Sequence, residues 1–361
     1  MTDTEYMKIA IEYAKKGSGS VNPNPMVGAV IVKHDQIVGE GYHKKRGEPH
    51  AERYALMNCR ESAAGATLYV TLEPCCHYGK TPPCTEAIIE SGISRVVVGS
   101  VDPNPLVAGK GIEILRKQGI EVISGILQDE CDRLNEVFFH FIQTKRPFVV
   151  MKYAMTMDGK IATRTGASKW ITGEAARGRV QQDRHRYTAI MTGSGTVLAD
   201  DPLLTCRMEG GKNPIRIICD TNLKVSPTHQ IIKTAKEVLT IIATACTDAE
   251  KQQPLKEAGC EILVLQRKEG HLDLEQLMEE LGKRNIDSIL LEGGGRLNWS
   301  MIQCGVVDKV QCYIAAKLFG GDTAPSPIAG MGVELPEAAV QLTDMTFSQI
   351  GEDFLFEGRV K

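Results

Sequence analysis

Between Glu5 and Lys16 the apolar residues Met7, Ala10, Ile11 and Ala14 recur at three- and four-residue steps, which predicts a helix with one buried stripe. Two short runs follow, Val27–Lys33 and Gln36–Gly41, separated only by His34-Asp35; that spacing predicts a β-hairpin. His50–Cys59 reads as a helix and Ala66–Leu72 as a strand. Cys84–Glu90 reads as a helix with prolines just before it, where a missing N–H costs least. Arg95–Val101 is a buried strand, and Glu121–Ser124 is another between helices over Gly111–Gln118 and Asp129–Thr144. The sum is a sheet covered by helices, an α/β sandwich.

The pattern restarts at Lys145-Arg146-Pro147, where proline ends a helix and opens an extended segment. Phe148–Tyr153 is the first strand of a second α/β region. Further strands fall near Ala189–Thr192, Ile215–Cys219, Val238–Ala243, Glu261–Val264, Ser288–Leu291 and Lys309–Ala315, with helical stretches between several of them. The expected domains are therefore residues 1–146 and 147–361. They share a class and no motif, and no internal repeat is visible.

Composition narrows the classes. With 361 residues the chain suits two or three domains. A hydrophobic fraction of 42% and a charged fraction of 24% are those of an ordinary globular protein, and a net charge of −3 gives no reason to expect a nucleic-acid or membrane partner. The start of the chain has no uninterrupted apolar run, and nothing later approaches the roughly 18 apolar residues of a membrane helix. A cytoplasmic enzyme is the expectation. In a reducing compartment eleven cysteines point to metal binding or catalysis before disulfides. The singly scattered ones read as small buried apolar residues; Cys75, Cys76 and Cys84 keep different company.

His50-Ala51-Glu52 is followed by Pro74-Cys75 and then Cys84. A catalytic zinc needs three protein ligands and an open position for water. One imidazole and two thiolates, His50, Cys75 and Cys84, supply them, each at the end of a predicted element. Zinc lowers the pKa of a bound water to about 7, but expelling ammonia also requires a proton carrier. Glu52, two residues from a ligand, is placed for that. A His-x-Glu with a non-ligand glutamate, followed by Pro-Cys and a second cysteine, is the layout of zinc nucleobase deaminases. Cys84 at a helix N-terminus is expected to be the thiolate that the helix dipole favours.

One departure is informative. Eight residues, Cys76 to Pro83, separate the two cysteines where the nucleobase motif has two. The insertion brings His77 and Lys80 beside the metal, which would suit an anionic substrate. The segment Glu73–Cys84, with Asn24-Pro25-Met26-Val27-Gly28-Ala29-Val30 and Asp102–Gly111, resembles the deaminase domain of the bifunctional deaminase–reductase family of bacterial riboflavin biosynthesis. The resemblance implies a cytidine-deaminase-like α/β/α sandwich, the zinc ligands and proton shuttle named above, and substrate contacts at Asn24, His43, His77, Lys80 and Asn104.

The second region has no Gly-x-Gly-x-x-Gly, so a Rossmann domain is not supported. It does carry Glu292-Gly293-Gly294-Gly295 after a strand, and Gly193-Ser194-Gly195-Thr196 after another, turns that let backbone N–H groups approach a phosphate. Lys152–Ala162, Ser168–Thr172, Thr196–Arg207 and Glu292–Gly295 are similar to the reductase domain of the same family. The resemblance implies a dihydrofolate-reductase-like α/β fold and NADPH. It implies cofactor contacts at Ala154, Trp170, Thr196, Asp200, Thr221 and across Gly294, Gly295, Arg296, Leu297, Asn298, Trp299 and Ser300. The implied substrate contacts are Ser168, Arg184, Leu204, Arg207 and Glu292, the two guanidinium forks being suited to a ribose-linked phosphate.

The implied chemistry is hydrolytic deamination of 2,5-diamino-6-ribosylamino-4(3H)-pyrimidinone 5′-phosphate, then reduction of the ribosyl side chain to ribityl. Lys152 and Asp200 are candidates to position or protonate near the hydride acceptor, a purely structural role in cofactor binding being the alternative. Relatives of this kind assemble, so a homo-oligomer is expected. Two rivals are a nucleoside or tRNA deaminase with an appended nucleotide-binding domain, and a non-catalytic zinc scaffold. The first fits poorly with the long insertion and the absence of a basic tract; the second has no use for Glu52.

Overall fold

The chain opens with a capping box: the Thr2 hydroxyl accepts the Glu5 N–H, and the Glu5 carboxylate accepts the Thr2 N–H at 2.7 Å. That starts α1 (Asp3–Lys15), whose buried residues are Tyr6, Met7, Ala10, Ile11 and Ala14. The computed structural model describes residues 1–78 and 82–361. They form two units, Met1–Lys145 and Arg146–Lys361.

In the first unit β1 (Gly28–Lys33) and β2 (Gln36–Tyr42) are joined by His34 and Asp35. Both have positive φ, 49° and 58°, the backbone of the tight hairpin turn that follows strand twist. Then come α2 (Ala51–Met57), β3 (Thr67–Leu72), α3 (Cys84–Glu90), β4 (Arg95–Ser100), α4 (Lys110–Lys117), β5 (Glu121–Ser124), α5 (Gln128–Leu134) and α6 (Glu136–Thr144). The sheet runs β2-β1-β3-β4-β5, with β1 antiparallel to both neighbours and β3, β4 and β5 parallel. Strand alternation divides the core. Ala29, Ile31, Leu68, Val70, Val96 and Val98 pack against α2, α3 and α4, whereas Val30, Val32, Tyr69 and Val97 face α1 and α5.

The single helix expected over Asp129–Thr144 is two, broken at Asn135 (φ −107°, ψ 20°). The Asn135 side chain accepts the Met26 N–H at 2.8 Å and donates to the Met26 carbonyl at 3.0 Å. A buried amide aimed at another segment leaves the helix rather than continue it.

The second unit contains β6 (Phe148–Thr156), α7 (Glu174–Arg186), β7 (Ala189–Gly193), α8 (Ser194–Asp200), β8 (Ile215–Cys219) and α9 (Gln230–Lys233). It continues with β9 (Thr240–Thr244), α10 (Ala249–Glu257), β10 (Glu261–Val264), the two-residue strands β11 (Arg267–Lys268) and β12 (His271–Leu272), and α11 (Leu274–Lys283). It ends with β13 (Ser288–Leu291), α12 (Gly295–Gln303), β14 (Lys309–Ala315), β15 (Leu342–Ile350) and β16 (Asp353–Val360). Nine strands order as β10-β9-β8-β7-β13-β6-β14-β16-β15. All pairs from β10 to β14 are parallel, and β16 and β15 close the sheet antiparallel.

One face of this sheet packs on α11 and Met301 of α12, and part of the other on α8, α9 and α10. Edge strand β15 is exposed at every residue but Ile350 and shifts register between Thr343 and Thr346. Among the described residues no helix is long and apolar enough to cross a membrane.

Candidate active sites

Three elements of the first unit deliver three donors to one point. His50 is the N-cap of α2, Cys75 lies in the segment after β3, and Cys84 is the first residue of α3. His50 Nδ1 is 3.5 Å from Cys75 Sγ and 3.4 Å from Cys84 Sγ, and the three ligand atoms all lie within 4.8 Å of one another. Zinc with Zn–S of about 2.3 Å and Zn–N of about 2.1 Å, at tetrahedral angles, separates nitrogen from sulfur by about 3.6 Å. The donor set therefore fits zinc in kind and in size.

The start of the helix that carries Cys84 also reaches the second thiol. The Cys84 backbone N–H, at the start of α3, points at Cys75 Sγ, 3.3 Å away. Hydrogen bonding from the Cys84 thiol, joined by the His50 ring, draws the Cys75 thiol down against its burial. The same hydrogen bond, with burial, pushes Cys84 up. Dipole and hydrogen bond thus favour thiolate on the residue that precedes the helix.

His50 and Cys75 line a cavity of about 330 Å³ together with Glu52, Asn24, His43, His77 and Asn104. Glu52 is 3% exposed, and its Oε2 is buried without a hydrogen-bond partner. Burial pushes its carboxyl up. A buried carboxylate oxygen without a partner is costly unless something completes it.

The wall around the donors is fixed by backbone. His43 Nδ1 lies 3.1 Å from the Pro49 carbonyl, an acceptor only, so that nitrogen carries the proton. Its Nε2 then accepts from the Asn24 amide at 3.2 Å, while the adjacent Met26 is held by Asn135. Asn104 Oδ1 accepts the Leu106 N–H at 3.1 Å, and the Asn104 N–H goes to Asp102 Oδ1 at 2.8 Å. His77 Nδ1 is buried without a partner among the described residues. Lys80 lies outside the described residues. Two further lining residues, Glu73 and Asp102, belong to the quoted motifs but carried no expected role. Burial raises the Asp102 carboxyl to about 6.

In the second unit β8, β7, β13 and β6 are adjacent and parallel, so their carboxyl ends line one edge. Thr221 follows β8, Gly193 to Thr196 follow β7, and Glu292 to Gly295 follow β13. Open parallel sheets bind ligands at such an edge. The two glycine turns lie side by side: a Cβ on Gly294 would sit 3.4 Å from Thr196 Oγ1. Gly294 caps the nine-residue α12 without any side-chain hydrogen bond, leaving its first N–H groups for an anion. Of the run Gly294 to Ser300, Leu297 packs into the core and the Asn298 amide donates to the Pro327 carbonyl at 2.8 Å. A Cβ on Gly330 would meet the Trp299 ring at 2.4 Å. Side chains at 297–299 therefore pack inward, and the uncapped backbone at 294–296 is what remains to meet a phosphate.

At the same edge Glu292 is clamped. Arg184 Nε and Nη2 donate to its two oxygens at 2.9 and 3.0 Å, and Lys152 Nζ lies 3.7 Å from Oε2. Burial would raise the Glu292 carboxyl, but the Arg184 and Lys152 charges outweigh it and hold it at about 2. Arg184 Nη1 also donates to the Thr205 carbonyl at 3.0 Å. Three of its five N–H groups are thus engaged, leaving two for an anion. Arg207 is exposed on the loop after α8, where buried Leu204 holds a φ of 50°. Ser168 Oγ donates to Asp200 Oδ1 at 3.0 Å. Trp170 is 60% exposed, its ring under the Arg177 guanidinium at 4.7 Å. Ala154, on β6, packs its side chain toward α7.

Residues 147–356 match the family model described as the RibD C-terminal domain, and residues 1–100 match the cytidine and deoxycytidylate deaminase zinc-binding region. The riboflavin biosynthesis protein RibD of Actinobacillus pleuropneumoniae is 54% identical over 357 residues, covering 99% of this chain and 95% of that protein.

The chain belongs to the RibD family.

Solved structures agree. RibD of Acinetobacter baumannii superposes with a TM-score of 0.88 at 38% identity, covering 99% of both chains. A diaminohydroxyphosphoribosylaminopyrimidine deaminase/5-amino-6-(5-phosphoribosylamino)uracil reductase from Thermotoga maritima does so with 0.87 at 41%, again over 99% of each. The first unit is accordingly the cytidine-deaminase-like sandwich and the second the dihydrofolate-reductase-like reductase domain. Like its RibD relatives, the chain is a bifunctional deaminase and reductase of riboflavin biosynthesis, acting on phosphorylated aminopyrimidines.

Proposed function

We propose that His50, Cys75 and Cys84 hold one catalytic zinc per chain, that Glu52 shuttles the proton, and that deamination of the diaminopyrimidine ribosyl phosphate precedes an NADPH-dependent reduction of its ribosyl side chain. The observation that carries this is the convergence of three ligand atoms beside a buried, unpartnered Glu52 oxygen. Held by His50, Cys75 and Cys84, zinc would supply a Lewis acid that lowers the pKa of a water, the nucleophile for the ring carbon that bears the amino group. Glu52 takes the proton released in the attack and delivers it to the departing nitrogen. Asn24, His43, His77 and Asn104 orient the heterocycle, with His43 and Asn104 directed by their contacts to the Pro49 and Leu106 backbone; Lys80 completes that set.

In the reductase cleft NADPH supplies the hydride. The glycine turns at 193–196 and 293–295, with Ala154, Trp170, Asp200 and Thr221, hold the dinucleotide; the uncapped start of α12 and the neighbouring Thr196 hydroxyl support a phosphate there. Arg184 and Arg207 take the substrate phosphate, with Ser168 and Leu204 beside it. Glu292 keeps the Lys152 ammonium near the reacting carbon, where Lys152 protonates the oxygen released as the sugar ring opens; Asp200 positions Ser168 through their hydrogen bond. None of the eleven cysteines is in a disulfide, in keeping with the reducing, cytoplasmic setting that completes this reading.

The test follows ammonia release and NADPH oxidation together, with and without a zinc chelator. Ammonia should appear first, chelation should abolish it, and NADPH oxidation on the already deaminated substrate should survive chelation. Chelator-insensitive ammonia release would overturn the zinc assignment, and NADPH consumption ahead of ammonia would overturn the order. Light scattering on the same preparation reads the remaining part, a homo-oligomer that covers the exposed apolar edge at Met345 and Phe347 of β15; a monomer overturns that part.

A further inference from the structure

Glu73 sits between two halves of the deaminase pocket and belongs to neither ligand set. It follows β3 directly, two residues before Cys75, and its backbone N–H continues the β3–β4 ladder to the Ser100 carbonyl at 2.9 Å. Its side chain is 3% exposed and turns across to the segment that follows β4. There Oε2 accepts the N–H of Gly109 at 2.9 Å and of Asp102 at 3.3 Å, and Oε1 accepts the N–H of Ile112 at 3.2 Å.

Those three donors bracket the loop that carries Asn104. Asp102 opens it and in turn receives the Asn104 N–H; Gly109, at φ 81°, is the N-cap of α4; Ile112 lies in that helix's first turn. Packing is close enough to transmit position: a Cβ on Gly111 would come within 2.2 Å of the Pro74 carbonyl. The residue between Glu73 and the ligand Cys75 thus touches α4 directly. A carboxylate is the one side chain that offers two acceptor oxygens to three converging N–H groups without presenting a donor of its own.

We infer that Glu73 is a positioning residue for deamination: by accepting the Asp102, Gly109 and Ile112 N–H groups it sets the Asn104 loop in register with the segment that carries Cys75. Its carboxylate oxygens are taken up by these N–H groups, so it acts through Asn104. The inference rests on the proposed role of Asn104, and the experiment separates the two.

Four forms of the full chain are compared: wild type, Glu73→Gln, Asn104→Ala and the double variant. In Glu73→Gln an amide NH2 replaces one acceptor and faces an N–H group. Deaminase kcat/KM should fall about 10- to 100-fold, the usual range for an outer residue that orients a site. Zinc content and reductase kcat/KM on the deaminated substrate should not change. Amide hydrogen exchange at Asp102, Gly109 and Ile112 should speed up in Glu73→Gln. The double variant should be no worse than Asn104→Ala alone, because both changes disable one unit.

If Asn104→Ala leaves deamination intact, the role proposed for Asn104 fails, whatever Glu73 does. If Asn104→Ala is impaired but Glu73→Gln is not, or the two losses multiply, the inference about Glu73 fails alone. Loss of zinc in Glu73→Gln overturns it in favour of a general structural role.

Discussion

The two sites solve their electrostatics in opposite ways. The deaminase pocket leaves polar atoms open: Glu52 Oε2 and His77 Nδ1 are buried without partners among the described residues. The reductase cleft lies along a sheet edge, and its central carboxylate is already saturated by Arg184 and Lys152. The carboxyl proposed to gain and lose a proton keeps one oxygen without a partner, and burial raises its affinity for the proton. A group that must hold cations in place is kept ionised by them. The same residue type, glutamate, is tuned in opposite directions within one chain.

The largest effect should come from Glu52→Gln, which keeps shape but cannot carry a proton. Ammonia release should fall about 10²- to 10⁴-fold, with zinc content and reductase rate unchanged. A smaller loss would mean that another group shuttles the proton, and the contrast between the sites would collapse.

Glu292→Gln should lower reductase kcat/KM about 100-fold by misplacing Lys152 and leave deamination untouched. It should also destabilise the second unit by about 3 to 5 kcal/mol, because two buried cations lose their counter-charge. Unfolding in denaturant reads the second quantity. If activity falls while stability holds, Glu292 acts on substrate and not through its clamp.

The smallest effect is a pH slope. Glu292 titrates near 2 in the fold against an ordinary 4.5. A depressed carboxylate contributes stability above its unfolded value and loses it as pH falls through the folded one. The wild-type reductase unit should therefore weaken between about pH 5 and pH 2 by an increment that Glu292→Gln lacks. Equal acid slopes in both proteins would show that the clamp contributes little.

What the sequence made legible followed from short-range chemistry. His50, Glu52, Cys75 and Cys84 stand at element ends that periodicity and prolines mark. Strand β1 and most parallel strands of the second unit carry short apolar runs, and the two-residue gap before β2 marks the hairpin. Elements that bury polar groups were harder to read. Helix α7 turns Asp183 and Arg184 inward, so it shows no apolar stripe. Strand β15 alternates poorly because it is exposed and bulged. The break at Asn135 and the bonds of Glu73 depend on residues 109 and 29 to 39 positions away, separations that no local window spans. The contact of the Cys84 N–H with Cys75 Sγ was hidden for a related reason: proximity along the chain does not say at which sulfur an N–H points.

Asn135 also bears on how portable the deaminase is. The matched zinc-binding region ends at residue 100, yet the turn holding Asn24 is pinned from Asn135, and Asn104 and Phe138 line the pocket. A transplantable deaminase module is therefore longer than its signature. It must run through α6, and recombination or engineering that joins it to another partner has its natural seam at Lys145, not at the end of the shared motif.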